Sequence, residues 1–288
     1  MSWSTTSRAS HGDYPALLAG NALEGTGYTR RWTTTGTMTG TDVTDADHPA
    51  RFAVDGHYHL DTRPTGTNTG WYLNLQVDPL AAPDSFLIFG HNFGDISGGV
   101  SCVLSTADSD DWLTNPQDIH DFGTITDNVR LVHLSSSVWT GLTRARLKLS
   151  ASVNFIPQVC EVVFATRYVL EHYPKIPRDE SALVSDVSTQ VTKSGAVVTY
   201  ERSVGQRVDP FVLQLQTTTE IATVRAAFKA ARYGSKRIIL IEQPNTVPGA
   251  AHVMKIDPSL TLQRLGPFER EGSIPMTEVA PFYEIETA

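Results

Sequence analysis

The class of fold is indicated by two short apolar runs, GWYLNL at residues 70–75 and FLIFGHN at residues 86–92. Both runs are rich in aromatic and aliphatic residues and border on turn formers, which is the pattern of β-strands. Further along, residues 147–153 alternate apolar and polar side chains, as in a strand with one buried face. The run VVFA at residues 162–165 is continuously apolar, as in a strand covered on both faces. Up to about residue 170 we find no amphipathic helix and predict strands only.

A proline-containing break divides the chain into two parts. The run EHYPKIPRDE at residues 171–180 carries two prolines three positions apart, which exclude a helix and interrupt a strand ladder. The charge balance changes at the same place, since residues 1–174 contain 10 Lys and Arg against 18 Asp and Glu, whereas residues 175–288 contain 13 of each. We therefore predict an N-terminal domain of residues 1–172, a linker of residues 173–180 and a C-terminal domain of residues 181–288.

One α-helix is predicted in the C-terminal part, at residues 217–233. Thr217 and Glu220 have the spacing of a capping box, and Gly234 stands where a left-handed C-cap is expected. The apolar stripe between them consists of Ile221, Val224, Phe228 and Ala231. Strands are predicted at residues 196–202, 211–215, 238–241, 252–256 and 260–265, with a final extended stretch at 276–285. This order predicts either an α+β arrangement or a helix-bearing sandwich, with antiparallel pairing.

The outer face of this helix is predicted to be basic. Arg225, Lys229 and Arg232 lie opposite the apolar stripe, so the helix would pack one side against a sheet and expose these cations. We regard the three residues as a candidate assembly surface.

Composition excludes several classes of protein. Among 288 residues, 40% are hydrophobic and 19% are charged, which is typical of a folded soluble chain. No run approaches the roughly 18 apolar residues of a membrane helix, so we expect no membrane insertion. A net charge of -8 repels phosphate backbones, and we expect no nucleic-acid partner. Cys102 and Cys160 are expected to be reduced and buried, although a single disulfide between neighbouring strands remains open, and no signal peptide is apparent.

Metal sites and catalytic motifs are poorly represented. The pair His57 and His59 could grip a transition metal on a strand, but a third ligand is missing, and solvated loop histidines are the preferred interpretation. His91, His120 and His133 could in principle join that pair. The acidic run ADSDDW at residues 107–112 could hold calcium, yet it lacks the glycine and glutamate of an EF-hand loop, and a turn is preferred. No nucleophile elbow, phosphate-binding loop or zinc-protease motif occurs, so we predict no catalytic residue, no metal, no cofactor and no enzymatic activity.

The N-terminal part resembles the discoidin-type, galactose-binding-like jelly roll. The matching segments are HPARFAVDG at 48–56, GWYLNL at 70–75, FLIFGHN at 86–92, VSCVLS at 100–105 and VCEVVF at 159–164. The chain departs from the family at Val77-Asp78-Pro79, where the family usually has Asp-Leu-Gly, and it lacks the Thr-x-Trp that follows Asp-Gly. The ligand-binding candidates are Tyr58, His59, Asp110 and Trp112, with Trp112 as a stacking platform for a sugar ring.

The C-terminal part is similar to tail and baseplate structural proteins of tailed bacteriophages. The likeness rests on DPFVL at residues 209–213, the helix and the strand at 238–241. Together the two resemblances imply a mainly β protein: an N-terminal jelly-roll β-sandwich and a C-terminal β-sandwich that carries one packed α-helix.

The function implied by these resemblances is that of a non-catalytic virion structural protein in the distal tail, tail tip or baseplate. It would be assembled in the host cytoplasm and form a trimeric or hexameric ring through its C-terminal domain, next to other tail proteins. The peripheral N-terminal domain would contact neighbouring subunits or a host surface glycan. The alternative is a carbohydrate-binding module or accessory domain of a bacterial glycan-active protein.

Overall fold

The structure, a computed structural model, divides into two compact units. It describes residues 14–23, 29–34, 42–54, 60–106, 117–171, 182–191, 197–215, 217–232, 236–241, 243–245, 251–256, 261–264 and 270–278. Of these, residues 20–167 form the N-terminal unit, and residues 14–19 and 168–278 form the C-terminal unit. The predicted mainly β class with one α-helix is confirmed for the described residues.

The N-terminal unit is a sandwich of two antiparallel sheets. One sheet has the strand order β2-β3-β8-β5-β6, and the other has the order β9-β4-β7. The strands are β2 (Arg30–Thr34), β3 (Asn68–Gln76), β4 (Ser85–His91), β5 (Val100–Thr106), β6 (Gln117–Ile125), β7 (Leu131–Leu134), β8 (Arg144–Phe155) and β9 (Val159–Val169). The described residues before β9 contain two short 3-10 helices, Ala50–Val54 and Phe93–Asp95, and no α-helix, as the sequence predicts.

The core of this unit follows from the alternation of side chains along the strands. Trp71, Leu73 and Leu75 point inward from β3, while Tyr72 between them stays half-buried on the other face. Along β4, the five residues from Ser85 to Phe89 are all buried, so both faces of this strand are covered, and Phe86 and Ile88 are the ones that belong to the sandwich core. The largest enclosed side chains include Trp32, Trp71, Phe86 and Phe164.

The sandwich has two distinct ends. The chain enters at residue 20 and leaves at residue 167 at one end, which we call the near end, together with the loops at residues 77–84 and 135–143. The opposite end, which we call the far end, carries the loops at residues 92–99, 126–130 and 156–158. Thr106 and Gln117, the last residue of β5 and the first of β6, pair with each other at the near end.

The C-terminal unit is an antiparallel sheet with α1 (Thr218–Ala230) against one face. Its strand order is β10-β11-β15-β13-β12-β1, and β14 pairs with β15. The strands are β1 (Ala16–Ala19), β10 (Ala182–Val191), β11 (Val197–Leu215), β12 (Ile238–Ile241), β13 (Ala251–Ile256), β14 (Thr261–Arg264) and β15 (Arg270–Glu278). Its core includes Leu17 of β1, Phe228 of α1, Leu240 of β12 and Met254 of β13.

Three boundaries differ from those predicted. The segments predicted at 196–202 and 211–215 belong to the single strand β11, and the final strand runs from Arg270 to Glu278 rather than over 276–285. The predicted N-terminal domain begins at residue 1, but β1 lies in the C-terminal unit, because Ala16, Leu17 and Leu18 pair with Ile241, Leu240 and Ile239 of β12. The predicted linker at 173–180 lies outside the described residues.

The helix begins as the capping box predicts and ends earlier than expected. Thr217 is the N-cap, and its side-chain oxygen accepts the backbone N–H of Glu220 at 3.0 Å. The C-cap is Ala231, and the residue after it, Arg232, adopts the left-handed conformation with φ of 47°. Gly234, the predicted left-handed residue, lies outside the described residues.

Both cysteines are free thiols in the structure, with Cys102 buried and Cys160 half-buried. Burial and the nearby Asp61 and Glu161 carboxylates raise the pKa of Cys160 to about 11, so its thiol stays protonated at neutral pH. Within the described residues, no helix is long and apolar enough to span a membrane.

Candidate functional site

The ligand-binding residues proposed from the sequence lie outside the described residues. Tyr58 and His59 fall within 55–59, and Asp110 and Trp112 fall within 107–116. The described residues that flank the two segments lie at opposite ends of the sandwich: Thr106 and Gln117 at the near end, and Thr62, which pairs with Val159, at the far end.

The candidate assembly residues are described, and all three are exposed. Arg225 and Lys229 lie on the exposed side of α1, away from the buried Val224 and Phe228, and Arg232 follows the C-cap. The predicted orientation of the helix is therefore confirmed, while the assembly role stays a prediction.

An aromatic cluster at one edge of the sandwich has the features of a binding site. The rings of His120 and His133 stack with centroids 3.9 Å apart and an angle of 19° between their planes. Trp139 continues the column on His133, with centroids 5.8 Å apart and again an angle of 19°. The three half-buried rings form a column that we call the aromatic stack. Phe122 meets His120 edge to face at 4.5 Å.

Strand register explains why these rings meet. His120 is paired with the buried Leu104 and therefore points between the sheets from the edge strand β6. His133 is paired with the buried Phe86 and points inward from β7, the edge strand of the other sheet. Trp139 is held by its backbone N–H, which donates to the carbonyl of Pro83 at 2.8 Å. The aromatic stack thus bridges two sheet edges close to the near end.

The polar atoms of the aromatic stack make no hydrogen bond with the described residues. The ring nitrogens of His120, His133 and Trp139 have no hydrogen-bond partner among the described residues, and none of these nitrogens is enclosed. Buried ring nitrogens are normally hydrogen-bonded, so a half-buried column with unpartnered nitrogens leaves donors and acceptors for an incoming molecule.

Electrostatics keep both histidines neutral at neutral pH. Burial and the adjacent His120 lower the pKa of His133 from 6.5 to about 4. Burial also lowers the pKa of His120, and the Asp121 carboxylate opposes this effect. Each neutral imidazole offers one N–H donor and one nitrogen acceptor.

The stack does not have the geometry of a metal centre. Parallel rings hold their nitrogen lone pairs parallel rather than convergent, so the two histidines cannot chelate one ion. No cluster of three or more His, Cys, Asp or Glu suited to a metal occurs in the part of the chain that the structure describes. His91, which the sequence places among possible metal partners, lies apart from the stack: its Nε2 donates to the carbonyl of Val129 at 2.7 Å at the far end.

A second polar site is a His48–Asp61 pair at the far end. The Nδ1 of His48 lies 3.0 Å from Oδ1 of Asp61, and each side chain is about one quarter exposed. Such a pair orients the histidine of a catalytic triad. Among the described residues, no Ser, Thr or Cys side chain hydrogen-bonds to the His48 ring, so the pair lacks a nucleophile.

A third polar group lies on the outer face of the five-stranded sheet. The Nε of Arg146 donates to Oδ1 of Asn74 at 2.7 Å, and the guanidinium lies 4.2 Å over the Tyr72 ring. Asn74 in turn donates to Thr33 at 3.0 Å. Arg146 is 5% exposed and Asn74 is 4% exposed, so this network is enclosed and tied together rather than open to a ligand.

Sequence reasoning named His120 and His133 as residues that could join a metal site and did not identify the aromatic stack. The available signal was their place in runs where polar and apolar residues alternate, beside Phe122 and Leu134. That pattern predicts which face of its strand each histidine occupies. It does not predict that the two strands lie at neighbouring sheet edges.

Comparisons with known proteins give low-similarity matches to sugar-binding structures. The sequence matches no protein-family model and no curated protein at a significant level. A family 32 carbohydrate-binding module of Clostridium perfringens NanJ, solved with galactose, is 10% identical, with 52% of this chain and 98% of that chain covered and a TM-score of 0.37. A second Clostridium perfringens CBM32 module, solved with GalNAc-β-1,3-galactose, is 16% identical, with 48% and 94% covered and a TM-score of 0.35.

A GH29 fucosidase of Ruminococcus gnavus, solved with fucose, is 10% identical with a TM-score of 0.39, and the match covers 52% of this chain and 27% of the fucosidase. This chain therefore spans about a quarter of that enzyme's length. The two carbohydrate-binding modules are of the class that the N-terminal resemblance named, and none of these matches supports the tail and baseplate resemblance. Identities and TM-scores this low carry no residue role or activity to this chain.

Proposed function

We propose that the N-terminal unit is a non-catalytic carbohydrate-binding domain and that the aromatic stack is its contact surface for a sugar ring. The observation that carries this proposal is the half-buried column of His120, His133 and Trp139, whose ring nitrogens have no hydrogen-bond partner in the part of the chain that the structure describes. This is the alternative reading of the sequence, a module of a glycan-active protein.

The chemistry of the aromatic stack suits a sugar. One side of a pyranose ring presents C–H groups that pack on aromatic carbon, and its hydroxyls need hydrogen-bond donors and acceptors. Neutral imidazoles and an indole N–H supply both within one column.

The first test is a glycan array with the full chain, followed by titration calorimetry at about pH 7.5, where both histidines are neutral. Galactose, fucose and GalNAc-β-1,3-galactose serve as initial probes. We expect Trp139→Ala to weaken binding at least about fivefold, since loss of a stacking contact is worth about 1 kcal/mol or more. The matched control is Val138→Ala, because Val138 is the exposed neighbour of Trp139 and lies outside the column.

Trp139 also packs against the core, so its replacement could disturb folding. His120→Ala is the second variant, since His120 lies at the other end of the column and is half-buried. The proposal fails if no glycan binds. It also fails if Trp139→Ala, His120→Ala and the control Val138→Ala all bind glycan as well as the parent protein does.

A second candidate function is the virion role, in which the C-terminal unit assembles into a tail ring, in the host cytoplasm, with other tail proteins. The observation that favours it is the exposed face of Arg225, Lys229 and Arg232, for which no ion pair is found among the described residues. Native mass spectrometry over a concentration series tests it. We expect a closed trimer or hexamer. The double variant Arg225→Glu with Lys229→Glu should dissociate it, whereas Thr219→Glu, the control on the same helix, should not. A monomer at every concentration excludes the ring.

A further inference from the structure

We propose that the His120–His133 contact is an acid-sensitive junction between the two sheets, which opens when both rings are protonated and then releases a ligand from the aromatic stack. The ligand part rests on the proposed function, whereas the opening of the junction does not.

The geometry makes this contact a junction. His120 belongs to β6, the edge of the five-stranded sheet, and His133 belongs to β7, the edge of the three-stranded sheet. No backbone ladder joins β6 to β7 in the described sheets, so side chains hold these two edges together. The ring contact of 3.9 Å is the closest aromatic contact across them.

The first proton is tolerated and the second is not. A single imidazolium in the column still faces an aromatic ring, which favours a cation. Two imidazolium rings at this distance repel each other strongly, because little solvent lies between them. The two sites therefore titrate as a coupled pair, and the junction responds to the second step.

The surrounding charges assign the order of protonation. On β6, Asp121 favours the charged form of His120, while Asp118 is held by Lys148 at 2.6 Å. Before β4, Asp84 accepts the backbone N–H of Arg167 on β9 at 2.8 Å and lies 4.0 Å from its guanidinium. The guanidinium of Arg167 also donates to the carbonyl of Ser135 at 2.9 Å, directly after β7, and places positive charge on that side. These charges make His120 the first ring to be protonated and leave His133 as the ring that resists.

The test follows Trp139 without any ligand. The full chain is labelled with 5-fluorotryptophan, and the Trp139 signal is assigned with Trp139→Phe. Fluorine NMR spectra are recorded from about pH 7.5 to about pH 3. We expect the Trp139 signal to shift in two steps, both below the usual histidine pKa of about 6.5.

Two variants isolate the junction. In the double variant His120→Phe with His133→Phe, the rings still stack but cannot titrate, so the Trp139 signal should no longer shift. If this variant does not fold, His133→Phe alone should reduce the response to one step. His48→Gln, at the far end, is the matched control and should titrate like the parent protein. A flat Trp139 signal in the parent protein, or a two-step shift that persists in the double variant, overturns the inference.

Galactose titrations at the same pH values separate the two proposals. If the Trp139 signal titrates but galactose and the other probes bind at no pH, the proposed function fails and the junction stands. If galactose binds equally well at about pH 7.5 and about pH 3, the release of ligand is overturned even though the domain binds sugar.

Discussion

Replacing Gly94 by alanine gives the sharpest steric test of the sandwich. Gly94 lies in the 3-10 helix at 93–95, against the loop at residues 126–130. An added Cβ would lie 2.4 Å from the carbonyl carbon, 2.5 Å from the Cα and 2.8 Å from the oxygen of Asp127. All three are backbone atoms, so no side-chain rotation relieves the overlap, and one of the two loops has to move.

The expected loss of stability follows from these contacts. Overpacking of this kind costs about 1–3 kcal/mol, and the lower entropy of alanine in the unfolded chain offsets about 0.4–1 kcal/mol. Movement of the loop also strains two hydrogen bonds, Gly94 N–H to Asn128 at 2.8 Å and Asn128 to Asp95 at 2.8 Å. We expect a net decrease of about 1–3 kcal/mol in the free energy of unfolding of the N-terminal unit.

Urea unfolding followed by tryptophan fluorescence measures this change. The control is Gly141→Ala, because Gly141 has φ of 70° and no atom within 4 Å of an added Cβ, so only backbone strain of about 1 kcal/mol is expected there. Sugar binding should persist in Gly94→Ala, since Gly94 is at the far end and the aromatic stack is close to the near end. A Gly94→Ala protein as stable as the parent would refute the steric argument.

Three further changes test the helix and the histidines. Thr217→Ala should lower the stability of the C-terminal unit by about 1 kcal/mol, because the N-cap hydrogen bond to Glu220 is lost. Thr217→Ser should retain this hydrogen bond. Equal thermal unfolding midpoints for Thr217→Ala and the parent protein would contradict the prediction. Arg232→Gly should raise the free energy of unfolding by about 0.5–1 kcal/mol, because glycine adopts a positive φ without strain. Arg225→Gly, in the middle of α1, should lower it by a similar amount. A loss of stability in Arg232→Gly, measured by urea unfolding, would contradict the left-handed backbone at this position. The free energy of unfolding should fall as the pH decreases from 6.5 towards 4, because folding lowers the pKa of His133 to about 4 and also lowers the pKa of buried His91. The unfolded chain therefore binds more protons than the folded chain in this interval. A free energy of unfolding that is flat with pH, or that has the same slope in His133→Phe as in the parent protein, would contradict this prediction.

The elements that could be predicted from the sequence are those governed by local pattern. The runs at 70–75 and 86–92 became β3 and β4, and the contrast between alternating and continuous apolar runs separated β8 from β9, although Val153, at the end of the alternating run, is exposed. The start of α1 was predictable because a capping box is a contact between residues three apart. The sheet partner of β1 was not, since Leu17 and Leu240 are far apart in sequence and nothing in the run ALLA names its neighbour.

The candidate site was harder to predict than the fold. Tyr58, His59, Asp110 and Trp112 were chosen for residue type, and type alone does not determine position on a sandwich. The aromatic stack depends on two edge strands from different sheets and on one loop residue, Trp139. Such a site is a product of tertiary structure, so only the inward direction of His120 and His133 is encoded locally.

The pairing of β1 with β12 affects the order in which the protein can fold during synthesis. β1 leaves the ribosome first, yet Leu240, the partner of Leu17, is made more than two hundred residues later. The sandwich between them has its own core and its two connections lie side by side, as Ala22 donates to Phe164 at 2.7 Å and Leu170 donates to Pro15 at 3.0 Å. It can therefore fold before β12 has been made. A truncation after the sandwich would remove the β12 partner of β1, so shortened forms of this chain should begin after residue 19.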